Sequence, residues 1–228
     1  LMKELLSPNG TIAVHVDWRV GYMMKAMLDE LFGVEAFINE IIWYYTGAGA
    51  SPERFSRRHD NIFWYAKGRE WFFDPDPLRT EYAEATKERF SHHIGNVRNG
   101  RDFGEQELNP LGKHPDDIIK ISIEAPSANE RTGYATQKPI ALLEKLVAGL
   151  APNGGLVADF FVGSGTTLKA CELLDRRWLG CDLGRWAIHT TRKRLLSIEN
   201  CKPFEVLNLG KYERQYWQGV TFASNGKT

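Results

Sequence analysis

The residues best suited to chemistry stand late in the chain, in the stretch VADFFVGSGTTLKA that begins at Val157. It reads as a buried strand running into a glycine turn and then a helix. Three kinds of ligand loop compete for such a turn. A phosphate-binding P-loop needs GxxxxGK[ST], whose lysine meets the β- and γ-phosphates. Here Gly163-Ser164-Gly165-Thr166-Thr167 runs on into Leu168, so the loop is not of that kind. A dinucleotide turn needs GxGxxG, its third glycine allowing close packing of helix on strand, and Leu168 fits that poorly.

What remains is the FxGSGT loop of S-adenosylmethionine (AdoMet) binders, whose glycines let the backbone pass close to the methionine moiety. Asp182 ends the next strand pattern, WLGCDL, 17 residues after Gly165. A carboxylate there can accept hydrogen bonds from both ribose hydroxyls, as the acidic residue of a dinucleotide site does. A plainer alternative stays open: a glycine turn between strand and helix, with Asp182 as a helix N-cap.

The elements that must carry these residues form an α/β pattern. LLSPNGTIAVHVD (5–17) and LAPNGGLVADFF (150–161) repeat one design: a helix end, a Pro-Asn-Gly turn and a short apolar run, each run reaching an aspartate, Asp17 or Asp159. Such units build parallel sheets with covered faces. Apolar residues at 20, 23, 24, 27, 28, 31 and 32 have helical spacing, and Gly33 suits the helix end. NEIIWYY (39–45) and NIFWYAKG (61–68) read as strands. Between them TGAGASPERFSRRHD makes a polar loop with three arginines and a histidine. From about Trp71 to Arg131 the periodicity is lost among Pro75, Pro77, Pro110, Pro115 and Pro126, which predicts an inserted irregular module with one helix near 80–90. Pro139 then opens a helix to Leu150. A strand at 156–160, a helix at 166–174, a strand at 178–183, a helix at 185–196 and a last strand, FEVLNLG (204–210), complete the pattern.

Lys+Arg and Asp+Glu each number 29, so the net charge is zero, and a nucleic-acid partner must be met by a local patch. Arg54, Arg57, Arg58 and His59 form such a cluster, suited to phosphates, although an arginine loop is often simply solvated. The three cysteines, Cys171, Cys181 and Cys201, have no CxxC spacing, which argues against a disulfide frame or a structural zinc site. They read as reduced residues of a cytoplasmic protein. No apolar run of membrane-spanning length and no signal peptide is present in the sequence.

TQKP, DFFVGSGTT about twenty residues later and WLGCDL together resemble the amino-group DNA methyltransferases of the permuted beta class, especially the modification subunits of type III restriction systems. HVDWR (15–19), LFGVEAFINEIIW (31–43) and RRHDNIFWYAKG (57–68) look like that family's post-catalytic elements in the right order, and GYATQKP resembles its GYPTQKP. The likeness spans the chain except about 72–125, where the family places its variable target-recognition region. It implies a Rossmann-like methyltransferase sheet in circularly permuted order: a catalytic half at 1–71, an inserted recognition region at 72–131 and an AdoMet half at 132–228. In that order the catalytic half precedes the AdoMet half, which is why the glycine loop comes late.

Carried over by residue, the resemblance makes Asp159, Phe161, Gly163, Ser164, Gly165 and Thr166 the methionine-side loop and Asp182 the ribose ligand. Thr136, Gln137, Lys138 and Pro139 would close the pocket, with Lys138 suited to the methionine carboxylate or, more plainly, a surface lysine at a helix start. The sequence departs from the family at Phe160, usually Pro, and at Val162, usually small or Cys. The family's [DNS]PP[YFW] motif, whose acidic or amide side chain and carbonyl accept the target amino hydrogens while its aromatic stacks the flipped base, is missing: the chain has no Pro-Pro pair. WFFDPDPL (71–78) lacks both paired prolines and the following aromatic. The resemblance thus implies that the motif lies upstream of Leu1, and LMKELLSPNG opens like the tail of a helix already under way. In the family's sheet the strand bearing that motif lies between the strands at 156–160 and 11–16, so both would lose a neighbour. Trp43, Tyr44 and Tyr45 would end a strand near the flipped base, or simply pack the core. The expected partners are double-stranded DNA and either a restriction subunit or a second copy of the chain. The expected reaction is methyl transfer from AdoMet to a base amino group, adenine favoured over cytosine. Two rivals are a non-catalytic nucleic-acid module that keeps the fold, and a small-molecule methyltransferase, which the motif order and long insertion disfavour.

Overall fold

Ile12, Val14 and Val16 recur at every second position of TIAVHVD, so they share one side of a strand. The computed structural model, which describes residues 1–46, 51–91, 95–98, 101–105, 107–123 and 130–208, forms that strand as β1 (Thr11–Asp17). A short helix, α1 (Met2–Leu5), and a turn through Pro8-Asn9 precede it, the Gly10 amide bonding back to the Ser7 carbonyl. Helix α2 (Gly21–Phe32) follows and lays Met24, Leu28 and Phe32 against the same layer as Ile12, Val14 and Val16.

Strands β2 (Phe37–Tyr44) and β3 (His59–Ala66) are both antiparallel neighbours in one ladder. β3 sits centrally and also pairs antiparallel with β1, Thr11 lying opposite Ala66 and Asp17 opposite Asp60. β3 is accordingly the most buried strand, with Ile62 and Tyr65 fully enclosed. The stretch read as irregular from Trp71 onward carries more order than its prolines suggested. A 3-10 turn at Asp76–Leu78, helix α3 (Glu84–Ser91), the antiparallel pair β4 (Gly95–Arg98) and β5 (Arg101–Glu105), and strand β6 (Ile118–Lys120) lie within it. β6 joins the main sheet parallel to β2, Ile118 opposite Ile42, giving the order β1-β3-β2-β6. Three residues of strand are enough there because Ile119 and Ile121 reach the core.

Helix α4 (Ile140–Leu150) covers the second face of the sheet. Its Leu142 meets Ile41, Trp43 and Ile62, and its Val147 packs with Ala170 and Cys171. The latter two belong to α5 (Thr166–Leu173), between the parallel strands β7 (Leu156–Asp159) and β8 (Arg177–Gly180); α6 (Arg185–Leu196) follows. Gly149 is needed on α4: a Cβ there would stand 2.5 Å from Leu78 Cδ1, so the 3-10 turn at Asp76–Leu78 packs directly on the helix backbone. Burial pushes the Cys171 thiol up to about 12, which makes it an inert core residue.

Further expectations change. The 5–17 unit was expected to enter a parallel sheet, yet β1 pairs antiparallel with β3 because its neighbour in space is the returning strand of the β2–β3 ladder. The 156–160 run was expected to be buried, yet Leu156 is 59% exposed and Ala158 is exposed as well, because β7 has β8 as its one strand partner among the described residues. The strand expected at 178–183 spans Arg177–Gly180, leaving Asp182 two residues beyond its end. The last strand expected at 204–210 does not form over 204–208, and 209–210 lie outside the described residues. Phe204 instead stacks on Trp178, ring centroids 5.5 Å apart, while Leu207 is exposed; side-chain anchoring replaces strand pairing.

Candidate functional site

The glycine loop leaves β7 and enters α5. Gly163 (φ 52°) and Gly165 (φ 76°) both take left-handed backbone, which glycine adopts without the clash a Cβ brings. At Gly165 a Cβ would also lie 2.9 Å from the Thr191 Cβ of α6. Main-chain bonds pin the loop to the segment after β8: Cys181 N–H donates to the Asp159 carbonyl at 2.8 Å, and Val162 N–H to the Cys181 carbonyl at 3.1 Å. Asp159 Oδ1 accepts the Phe161 amide at 2.9 Å, and the Phe161 ring projects outward, 80% exposed.

Asp182 is fixed from two sides. Oδ2 accepts the Gly163 amide at 2.9 Å and Oδ1 the Gly184 amide at 2.8 Å. An ionised carboxylate has about four acceptor sites, so each oxygen keeps capacity for a ligand hydroxyl. The plainer alternative of an N-cap does not hold, because Gly184, not Asp182, occupies the cap position of α6.

Other expected loop residues face inward. Ser164 and Thr166 are buried, their hydroxyls 3.1 Å apart, and Thr166 Oγ1 donates to the Lys138 carbonyl at 3.2 Å. Gln137 is committed to the turn before α4. Its Oε1 accepts the Thr132 amide at 2.8 Å and the Thr132 hydroxyl at 2.7 Å, and its Nε2 donates to the Glu130 carbonyl at 2.9 Å. Thr136 is exposed, and its carbonyl accepts Lys138 Nζ at 3.3 Å. Burial holds the Lys138 ammonium below its ordinary pKa, and the charge of Asp60 offsets part of that.

Asp60 brings in the main sheet. β1 and β2 run in one direction and β3 in the other, so the C-terminal ends of β1 and β2 and the N-terminal end of β3 share one edge. There Asp60 is paired with His15 Nε2 at 2.9 Å and accepts the Tyr45 hydroxyl at 3.3 Å. Burial first, and then the Asp60 charge, raise the Tyr45 hydroxyl above its ordinary pKa. Trp43 is core: it is buried, stacks against His15 and Tyr45, and donates Nε1 to the Ile121 carbonyl at 2.8 Å.

On the same edge the basic cluster divides. Arg54 and Arg57 are exposed, and the Arg57 guanidinium lies 4.0 Å from the centre of the Trp18 ring. Arg19 approaches the same ring at 5.9 Å while its side chain bonds Asp17 at 2.5 and 2.9 Å, which holds the Asp17 carboxyl below its usual range. Arg58 is half-buried with its carbonyl accepting the Tyr45 amide at 3.0 Å, and His59 sits in β3 opposite Tyr44. His15, Trp18 and Asp60 lie within the HVDWR and RRHDNIFWYAKG stretches without having been singled out as site residues, and Glu130 and Arg194 escaped the motif reading. For Arg194 a signal existed: Ala187, Thr190, Thr191, Arg194 and Leu195 have helical spacing and form the buried face of α6, but most of them are polar.

The Type II methyltransferase M.EcaI of Enterobacter cloacae is 31% identical over a match covering 85% of this chain and 55% of the relative. M.HpaI of Haemophilus parainfluenzae, also a Type II methyltransferase, is 29% identical over 86% of this chain and 57% of its own length. The chain thus spans little more than half the length of these relatives. Among solved structures, the PvuII DNA methyltransferase (cytosine-N4-specific) shares the fold with a TM-score of 0.59 at 17% identity, over 89% of this chain and 68% of that one. The complex of M1.HpyAVI with SAM gives 0.54 at 23% identity, over 85% and 78%. The permuted order and the type III likeness stay with the motifs that suggested them. A DNA methylase family model matches residues 1–193, and the chain belongs to the N6/N4 DNA methylase family.

Proposed function

We propose that this chain carries the cofactor-binding and DNA-facing parts of an AdoMet-dependent, site-specific DNA methyltransferase that acts on an exocyclic base amino group, adenine favoured over cytosine. One observation carries this most: Lys138 joins the two candidate regions. Its carbonyl accepts the Thr166 hydroxyl of the glycine loop, and its ammonium lies within the field of Asp60 on the sheet edge. A cofactor on the loop and a base at that edge would therefore be neighbours.

The residues suit AdoMet. Asp182 has acceptor capacity for ribose hydroxyls, and Lys138 offers a half-buried cation whose ammonium donates a long hydrogen bond to the Thr136 carbonyl. A carboxylate would recover the charge stability that burial removes. The left-handed glycines keep side chains away from the loop surface, and Phe161 offers an exposed aromatic face. Bound there, AdoMet supplies an electrophilic methyl group. The chain's own residues bind and orient; the paired-proline motif that would accept the amino hydrogens is not in the sequence.

In the same proposal Arg54 and Arg57, with Arg58 and His59 behind them, meet DNA phosphates. Residues 72–131 read the target, between a catalytic half at 1–71 and an AdoMet half at 132–228 in permuted order. Double-stranded DNA is the partner, with a restriction subunit or a second copy as further candidates. Among the described residues no helix is long and apolar enough to cross a membrane. The adenine preference rests on the motif resemblance, so any assay must read both bases. Calorimetric titration of the chain with AdoMet tests the core of the proposal. One saturable site is expected, and no heat beyond dilution at millimolar cofactor would remove the cofactor assignment.

A further inference from the structure

Arg194 is a buried cation, its side chain 5% exposed, on the inner face of α6. An isolated charge in such a place is expensive, so a partner is required. Glu130 supplies it: Arg194 Nη2 donates to Glu130 Oε1 at 2.6 Å, and Lys169 Nζ donates to the same oxygen at 2.7 Å. The other arm of the guanidinium reaches the glycine loop. Arg194 Nη1 donates to Thr166 Oγ1 at 2.7 Å and to the Ser164 carbonyl at 3.3 Å.

These bonds close a ring. Thr166 Oγ1 donates to the Lys138 carbonyl, Lys138 follows Gln137 in the chain, and Gln137 Nε2 donates to the Glu130 carbonyl. The Glu130 carboxylate then returns through Arg194 to Thr166. Lys138 and the glycine loop, which come from distant parts of the sequence, are thereby held at a fixed separation. The planar guanidinium bonds the carboxylate with one arm and the loop with the other in a fixed geometry, which the single nitrogen of a shorter lysine side chain does not reproduce.

We propose that Glu130 is a positioning residue for the cofactor site: by orienting Arg194 it sets the glycine loop against Lys138, and so sets AdoMet affinity without touching the cofactor. This rests on the AdoMet assignment of the loop. Burial raises the Glu130 carboxyl, and the hydrogen bonds from Lys169 and Arg194 outweigh that and hold it below its ordinary pKa, so it stays charged at neutral pH.

The test compares Glu130→Gln, Arg194→Lys and Lys169→Met with the unaltered chain, measuring AdoMet dissociation constants by calorimetry and thermal unfolding midpoints without AdoMet. Glu130→Gln and Arg194→Lys are expected to weaken AdoMet binding by about tenfold or more, the scale of one charged hydrogen bond. Lys169→Met removes a partner of Glu130 that does not reach the loop, so it should lower the midpoint while changing affinity by less than about twofold. Should Glu130→Gln fail to fold, Arg194→Lys keeps the charge and decides alone. The proposal is overturned if the folded variants bind AdoMet like the unaltered chain. It is also overturned if Lys169→Met weakens binding as much, or if neither loop-linked variant folds, because the pair is then only a stability element. If the unaltered chain takes up no AdoMet, the cofactor assignment itself fails, and this inference with it.

Discussion

The Asp182 carboxylate accepts the Gly163 amide at 2.9 Å, across 19 residues of chain, and thereby ties the segment after β8 to the glycine loop, the two places proposed for the ribose and the methionine moiety. Asp182 thus holds the loop and, in the proposed function, also accepts from the ligand. Replacing Asp182 with Ala is expected to lower AdoMet affinity by roughly 1.5–3 kcal/mol, the range for hydrogen bonds to a charged group. Asp182→Asn keeps one acceptor oxygen and should lose less. Calorimetry on both variants checks this, and an unchanged dissociation constant in the Ala variant would refute the ribose assignment.

Lys138 should show opposite effects on stability and on binding. Burial holds its folded pKa below the ordinary 10.5, so the native state releases this proton before the unfolded chain does. The unfolded state then binds more protons across the window between the lowered pKa and 10.5, and this group makes stability rise with pH there. At neutral pH the half-buried cation bears a desolvation cost. Lys138→Met should therefore raise the unfolding midpoint of the cofactor-free chain while weakening AdoMet binding. Differential scanning calorimetry paired with AdoMet titration tests both signs. A lower midpoint together with unchanged affinity would make Lys138 an ordinary structural lysine.

Trp18 and Arg57 should separate support from contact on the edge proposed to face DNA. Arg57, as a phosphate ligand, should reduce the slope of log affinity against log salt by about 0.9 when changed to Ala. Trp18→Ala removes the ring beneath the guanidinium, a stacking worth about 0.5–1 kcal/mol at an exposed site, and should weaken binding while leaving that slope in place. Fluorescence anisotropy on a mixed-sequence duplex across a salt series distinguishes the two. Identical slopes for Arg57→Ala and the unaltered chain would mean the loop is merely solvated.

The main sheet and the glycine loop were legible because their signals are local. Alternating apolar residues mark β1, and the run DFFVGSGTT carries its turn chemistry in its own glycines. The residues that were missed depend on partners far away in sequence. Arg194 looks like part of a basic surface run, RKRLL, until Glu130, 64 positions earlier, is placed beside it. β6 is three residues among prolines, and only the edge of β2 makes it a strand. FEVLNLG has a good apolar pattern, but over 204–208 no strand forms, and Phe204 settles on Trp178. Gln137 matched the family pattern by type, yet its amide is used by the turn that holds Glu130.

The strand order bears on activity. β1 pairs with β3 and β7 pairs with β8, and the two ladders stand in separate sheets with no pairing between β1 and β7 among the described residues. In the related family a strand bearing the paired-proline motif lies between these two edges, and this sequence has no such pair to offer. Amide and carbonyl groups left unpaired and buried cost about 1–3 kcal/mol each, so free edges lower stability wherever water cannot reach them. The motif resemblance assigns to that pair the acceptors for the target amino hydrogens, and without them the orientation and charge stabilisation of the attacking nitrogen would be lost. Purified 1–228 is therefore expected to bind AdoMet weakly and to leave DNA unmethylated. Incubation with tritiated AdoMet and mixed-sequence duplex, followed by separate counting of adenine and cytosine, measures this. Label on either base above a no-enzyme control would show that another group in this chain, with Asp60 on the sheet edge the first to mutate, accepts the amino hydrogens in place of the paired-proline motif.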